Sequence, residues 1–175
     1  MPQPIKPGCT LHSHPKAVLE RPQHAAGIGL VASEWAALEQ HLIIFFRGSL
    51  QTFARGAGAG SIVAQLAWDA MEGLKTRLDF VTDCLKNRVS VELLEEFKRD
   101  MVPEIRKRAQ ERNKVVHGIW QLCDEYPTDL ICTTPGDPDM QYTVKNFHDI
   151  ADRINATTNI MVKFWVKVQA SPQNM

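Results

Sequence analysis

Glu111-Arg-Asn-Lys-Val-Val-His-Gly-Ile-Trp120, ERNKVVHGIW, is the stretch on which the fold turns. Leu94, Phe97, Met101, Ile105, Val115, Val116 and Ile119 fall within one arc of a wheel that turns about 100° per residue. On that period a helix runs from about Val91 to Cys123, with Pro103 inside it as a kink. Arg112 falls near the middle of the apolar arc. Asn113, His117 and Trp120 stack along its edge at i, i+4 and i+7. A buried guanidinium without a partner costs several kcal/mol, so Arg112 demands either a carboxylate or an anion.

Outward from this helix, the chain reads as mostly helical. Ile28, Val31, Trp35, Leu38, Leu42 and Phe45 make a helical stripe from about Ala25 to Phe46. Arg55-Gly-Ala-Gly-Ala-Gly60 lacks the Lys-Ser/Thr of a phosphate loop and reads as a linker. Ser61 is placed to cap a second helix reaching Leu85, with the stripe Leu66, Ala70, Leu74, Leu78, Val81 and Leu85. Ser90 is placed to cap the third helix, with Glu92 in its first turn. Pro127 ends the helical pattern. Asp129–Thr134 and Met140–Val144 flank Pro135-Gly-Asp-Pro-Asp139, which predicts a small hairpin. Asn146 then caps a last helix, Phe147 to Val168, with the stripe Phe147, Ile150, Ile154, Met161, Phe164, Trp165 and Val168.

The expected fold is therefore all-α: a four- to five-helix up-and-down bundle with a small β-hairpin between the third and last long helices. The length of 175 residues fits one domain. Residues 1–23 hold five prolines and predict an extended or mobile arm. Residues 24–170 form the bundle and 171–175 a tail. Lys+Arg and Asp+Glu balance at 20 each, so any contact with nucleic acid must come from a local patch. No apolar run reaches the ~18 residues of a membrane span, and no secretory signal opens the chain. Four cysteines without CxxC spacing point to reduced thiols and a cytoplasmic setting. His12-Ser-His14 is read as an incidental pair, and no cofactor is expected.

Two readings of Arg112 remain. Glu39 lies at the margin of the first helix's stripe, and an Arg112–Glu39 ion pair explains the arginine by structure alone. Alternatively Arg112 holds a phosphate, and His117, titrating near neutrality, takes a proton from a ribose 2′-hydroxyl. That pair is a minimal metal-free ribonuclease site, and a twofold dimer supplies its second histidine. Arg106, Arg108 and Lys114 are the basic residues placed to guide RNA, although a solvated helix face is the commoner meaning of such a run. Trp120 fits core packing better than base stacking.

Arg112-Asn113-Lys-Val-Val-His117 resembles the R-x4-6-H motif of the HEPN superfamily, the higher-eukaryote and prokaryote nucleotide-binding domains. The motif is an arginine, a polar residue directly after it, and a histidine late in a long helix. The resemblance spans roughly residues 25–170. It implies catalytic roles for Arg112 and His117, a supporting role for Asn113, and a homodimer with facing motifs. It also implies metal-independent cleavage of RNA, in settings such as toxin–antitoxin systems with an antitoxin or other protein partner. Members without catalysis serve as nucleotide- or protein-binding modules. Ile119 stands where one toxin subgroup carries a modified tyrosine, which sets this chain apart from that subgroup.

Overall fold

The computed structural model describes residues 1–14, 16–50 and 59–171. It is 69% helical and also carries a five-stranded antiparallel sheet. The fold is mostly α, as expected, but the β part is larger than a hairpin. The helices are α1 (Pro22–Leu50), α2 (Ala59–Ala70), α3 (Gly73–Lys86), α4 (Val91–Glu96), α5 (Val102–His117) and α6 (Val144–Ala170). The strands are β1 (Gln3–Pro4), β2 (Leu11–His12), β3 (Ile119–Cys123), β4 (Leu130–Thr133) and β5 (Met140–Tyr142). The chain divides into two compact units. The first comprises Met1–Ala36 and Arg108–Asn155, and the second Ala37–Lys107 and Ala156–Met175.

In the first unit the strand order is β1-β5-β4-β3-β2. β4 and β5 form the predicted hairpin, with Ile131 opposite Gln141. Its turn follows from Pro135 and Gly136. Pro135 presets its own φ, and Gly136 takes φ +86°, which an L side chain rarely adopts. Asp137 N–H donates to Thr134 O at 3.0 Å to close it. β4 is the interior strand, with Leu130, Ile131 and Cys132 buried. Within residues 1–23 two short strands lie one on each edge of the sheet, Ala17–Glu20 make a 3-10 turn, and α1 already begins at Pro22. Gln3 pairs with Gln141, and Leu11 with Cys123. Such short edge strands leave little template for further pairing.

The third predicted helix does not reach Cys123. α5 stops at His117, and Ile119–Cys123 turns into β3, where Trp120 pairs with Cys132. Gly118 makes the abrupt change possible. A Cβ there would overlap Cys132 Sγ and stand 2.5 Å from Lys114 O. Trp120 Nε1 then donates to Val115 O at 3.2 Å, satisfying one carbonyl of the helix end. Trp120 packs in a ring cluster with Tyr142 and Phe147, at 5.1 and 5.5 Å between centroids. Core packing is its role.

Pro103 acts before itself. Residues Phe97–Met101 form a π turn between α4 and α5, and Val102 N–H donates to Phe97 O. Proline has no N–H to give and crowds the carbonyl four residues back, so the turn widens. Ser90 caps α4, accepting from Leu93 N–H at 3.4 Å. At α6 the cap is Thr143 rather than Asn146. Thr143 Oγ1 accepts from Asn146 N–H at 3.3 Å, and Asn146 Oδ1 accepts from Thr143 N–H at 2.9 Å, a reciprocal capping box.

In the second unit the single helix expected from Ser61 to Leu85 is two. α2 starts at Ala59, so Ser61 lies inside it rather than ahead of it. Gly73, at φ +76°, stands at the break. The break discards the common stripe: Leu78, Val81 and Leu85 are sealed, whereas Leu66 is 64% exposed. Trp68 and Ala64 supply α2's buried face instead. Of the glycine linker, residues 55–58 lie outside the described residues. Phe45 stacks on Trp165 at 4.9 Å, and Phe97 meets Phe164 at 5.5 Å. The α1 and α6 stripes are buried as read, with Ile28 and Trp165 half-buried.

Candidate functional site

The last turns of α5 and their neighbours in the first unit carry the site. Arg112 springs from the buried arc of the helix, as the wheel placed it, and its Nε is sealed while the outer end of the head reaches the helix edge. The guanidinium lies over the Trp35 ring, 5.9 Å from the centroid, and extends toward the helix edge. There Nη1 donates to Asn113 Oδ1 at 2.9 Å and approaches His117 Nε2 at 3.4 Å. Arg112 is half-buried; Asn113 and His117 are exposed. The three motif residues therefore form one contiguous polar group. A guanidinium N–H facing Nε2 suits a neutral ring with its proton on Nδ1. In that tautomer Nε2 carries the lone pair a general base uses. Trp35, buried beneath the guanidinium, was read only as a core residue.

Glu39, the carboxylate expected beside Arg112, has an arginine partner in its own unit. Glu39 belongs to the second unit, where it accepts from Arg77 Nη1 at 3.3 Å. Asn113 takes the place assigned to it. Among the described residues the polar partners of Arg112 are thus Asn113 and His117, neutral groups that an anion can displace.

The buried arginine of this helix is Arg108, only 3% exposed. Its Nη1 pairs with Glu111 at 2.9 Å, and Glu111 also pairs with Arg153 of α6 at 3.2 Å. One carboxylate between two guanidiniums is a structural node of the first unit. It removes Arg108 from any role in guiding RNA. The signal was available: Arg108 is three residues past Ile105 and four before Arg112, on the same arc. Reading it as part of a basic run hid that position. Glu111, between the two guanidiniums, is the residue that makes the arrangement hold.

The other two basic residues each have an acidic partner. Arg106 belongs to the second unit, half-exposed, 3.7 Å from Asp79. Lys114 reaches Asp137 in the hairpin turn at 2.7 Å. A surface pair of this kind is worth at most about 1 kcal/mol, so Lys114 remains free to exchange Asp137 for phosphate. The histidines of His12-Ser-His14 diverge: His12 Nε2 meets Asp124 at 3.0 Å and His14 Nε2 meets Glu20 at 3.0 Å. His24 is buried, with Nε2 on Tyr142 O at 3.1 Å, and burial lowers its pKa below the usual histidine range.

No protein-family model, curated protein or solved structure matches the chain. Among the described residues, no helix is long and apolar enough to cross a membrane.

Proposed function

We propose that the chain is a metal-independent endoribonuclease of HEPN type, acting as a homodimer. The observation that supports this best is the 3.4 Å approach of Arg112 Nη1 to His117 Nε2 on an accessible helix edge. An RNA phosphate entering there would take the guanidinium from His117 and Asn113, freeing Nε2 toward the neighbouring ribose. His117 accepts the 2′-hydroxyl proton while the 2′-oxygen bonds to phosphorus. Arg112 balances the charge that develops on the phosphorane. The bond to the 5′-oxygen then breaks, and the partner's His117, protonated, gives that oxygen its proton. The products are a 2′,3′-cyclic phosphate and a 5′-hydroxyl. Asn113 keeps the guanidinium in place, and Lys114 adds a phosphate contact at the rim.

The test is cleavage of unstructured RNA in excess EDTA by wild type, His117→Ala and Arg112→Ala, each checked for folding by circular dichroism. Losing the base lowers the rate by about 10²–10⁴. Losing the arginine costs on the order of 10² or more. Because Arg112 also covers Trp35, His117→Ala is the cleaner variant. Cleavage that persists in His117→Ala, or that EDTA abolishes, removes the mechanism. Folded wild type that binds RNA or a nucleotide without cutting points instead to a non-catalytic binding and dimerisation module.

A further inference from the structure

We propose that Cys9, Cys123 and Glu125 form a binding site for a thiophilic divalent cation of the zinc class, which fastens the N-terminal arm to the sheet. The pairing of β2 with β3, Leu11 opposite Cys123, brings Cys9 of the arm beside the end of β3. The two Sγ atoms and a Glu125 carboxylate oxygen all lie within 4.8 Å of one another. Around a tetrahedral zinc, with Zn–S of about 2.3 Å and Zn–O of about 2.0–2.2 Å, neighbouring donors stand roughly 3.3–3.8 Å apart. The three groups therefore close on a cation with small side-chain movements.

The surroundings hold the donors in place. Glu125 accepts the Thr10 N–H at 3.1 and 3.3 Å on its two oxygens, and the Cys123 thiol donates to it at 3.1 Å. Asp124, between the two donors, gives its N–H to Thr10 O at 3.4 Å. The arm segment that carries Cys9 and the turn that carries Glu125 are thus tied together by the residue adjoining each donor. Such outer contacts orient ligands and are felt in affinity. Two sulfurs and one carboxylate select a borderline-soft ion, whereas calcium and magnesium take sets of oxygen.

Cys123 is buried, Cys9 half-buried and Glu125 exposed, so the fourth position opens to solvent for a water. The site shares no residue with Arg112, Asn113 and His117, and the fate of one proposal leaves the other standing.

The experiment is a titration of the reduced full-length protein with Co²⁺, followed by absorbance. One equivalent is expected to give a sulfur-to-cobalt charge-transfer band and intense visible bands of a tetrahedral site, and Zn²⁺ to bleach them. Cys9→Ser and Cys123→Ser abolish the charge-transfer band or cut its intensity by half with much weaker binding. Glu125→Gln weakens binding by about 10–100-fold. Cys84→Ser, a thiol of the second unit, leaves the spectrum unchanged. Because Cys123 packs inside the sheet, Cys9→Ser decides the matter if Cys123→Ser does not fold. No charge-transfer band at saturating Co²⁺ overturns the site. So does a band unaltered by Cys9→Ser, or a protein whose Cys9 and Cys123 are found only as a disulfide that takes up no metal.

Discussion

Arg108 and Arg112 stand one turn apart on the same arc of α5 and meet opposite fates. Arg108 is sealed on Glu111, and Arg112 lies over Trp35 with its head at the helix edge. The difference is in what each guanidinium reaches. Glu111, on the next turn, faces Arg108 and Arg153 together. Among the described residues Arg112 finds no carboxylate, but the Trp35 ring, the carboxamide of Asn113 and the ring of His117. Glu111→Gln keeps the shape of the side chain and removes the charge, leaving two guanidiniums beside a neutral amide. We expect a loss of about 3 kcal/mol in unfolding free energy. In urea denaturation the midpoint should fall with an unchanged slope. A midpoint equal to wild type would mean that the node is held by packing and not by charge. Cleavage by the folded variant is expected to stay near wild type, because among the described residues the ion pairs of Glu111 go to Arg108 and Arg153 and not to Arg112 or His117.

At the scale of elements, the junction between α5 and β3 sets where the motif ends. The apolar rhythm Val115, Val116, Ile119 continues a helical period, yet the chain leaves the helix at Gly118. A helix and a strand can share such residues at their border, and periodicity alone does not separate the two over a short run. What separates them is the pairing of Ile119 with Thr133 and of Gln121 with Ile131, contacts made with a strand that comes later in the chain. Gly118→Ala places a methyl against Cys132 Sγ and Lys114 O. Overpacking of this kind costs about 1–3 kcal/mol. Thermal unfolding followed by circular dichroism should show the drop, and RNA cleavage should fall with it, since His117 precedes the displaced residue. A variant as stable as wild type would show that the junction relaxes freely. Where the element signals are local, they read well. Ser90 caps as expected, and Thr143 with Asn146 caps α6 one turn earlier than Asn146 alone would have done.

For the whole molecule, the proposed chemistry needs two copies of the motif, because one chain offers a single His117. We expect a dimer at micromolar concentration by light scattering, and loss of cleavage on dilution below its dissociation constant. A particle that stays monomeric while cutting RNA would refute the shared site. Within the second unit the large aromatics of α6 are engaged: Phe164 is 2% exposed and Trp165 stacks on Phe45. The apolar side chains left exposed on α6 are Ile160, Val162 and Val166.

The sequence by itself determined the helical stripes of α1 and α6, the β4–β5 hairpin with its Pro-Gly turn, the Ser90 cap, and the grouping of Arg112, Asn113 and His117. Each of these depends on residues within a turn or two of one another, where period, φ preference and hydrogen-bonding reach are fixed by the residue types. Tertiary structure decided the rest. It gave Glu39 to Arg77, sealed Arg108 and not Arg112, turned Ile119–Cys123 into a strand, laid the arm along both sheet edges, and brought Cys9 to Cys123. These outcomes depend on which distant groups meet. Backbone N–H and C=O groups pair with any strand that arrives in register, and a buried charge takes whichever counter-charge the packed helices present.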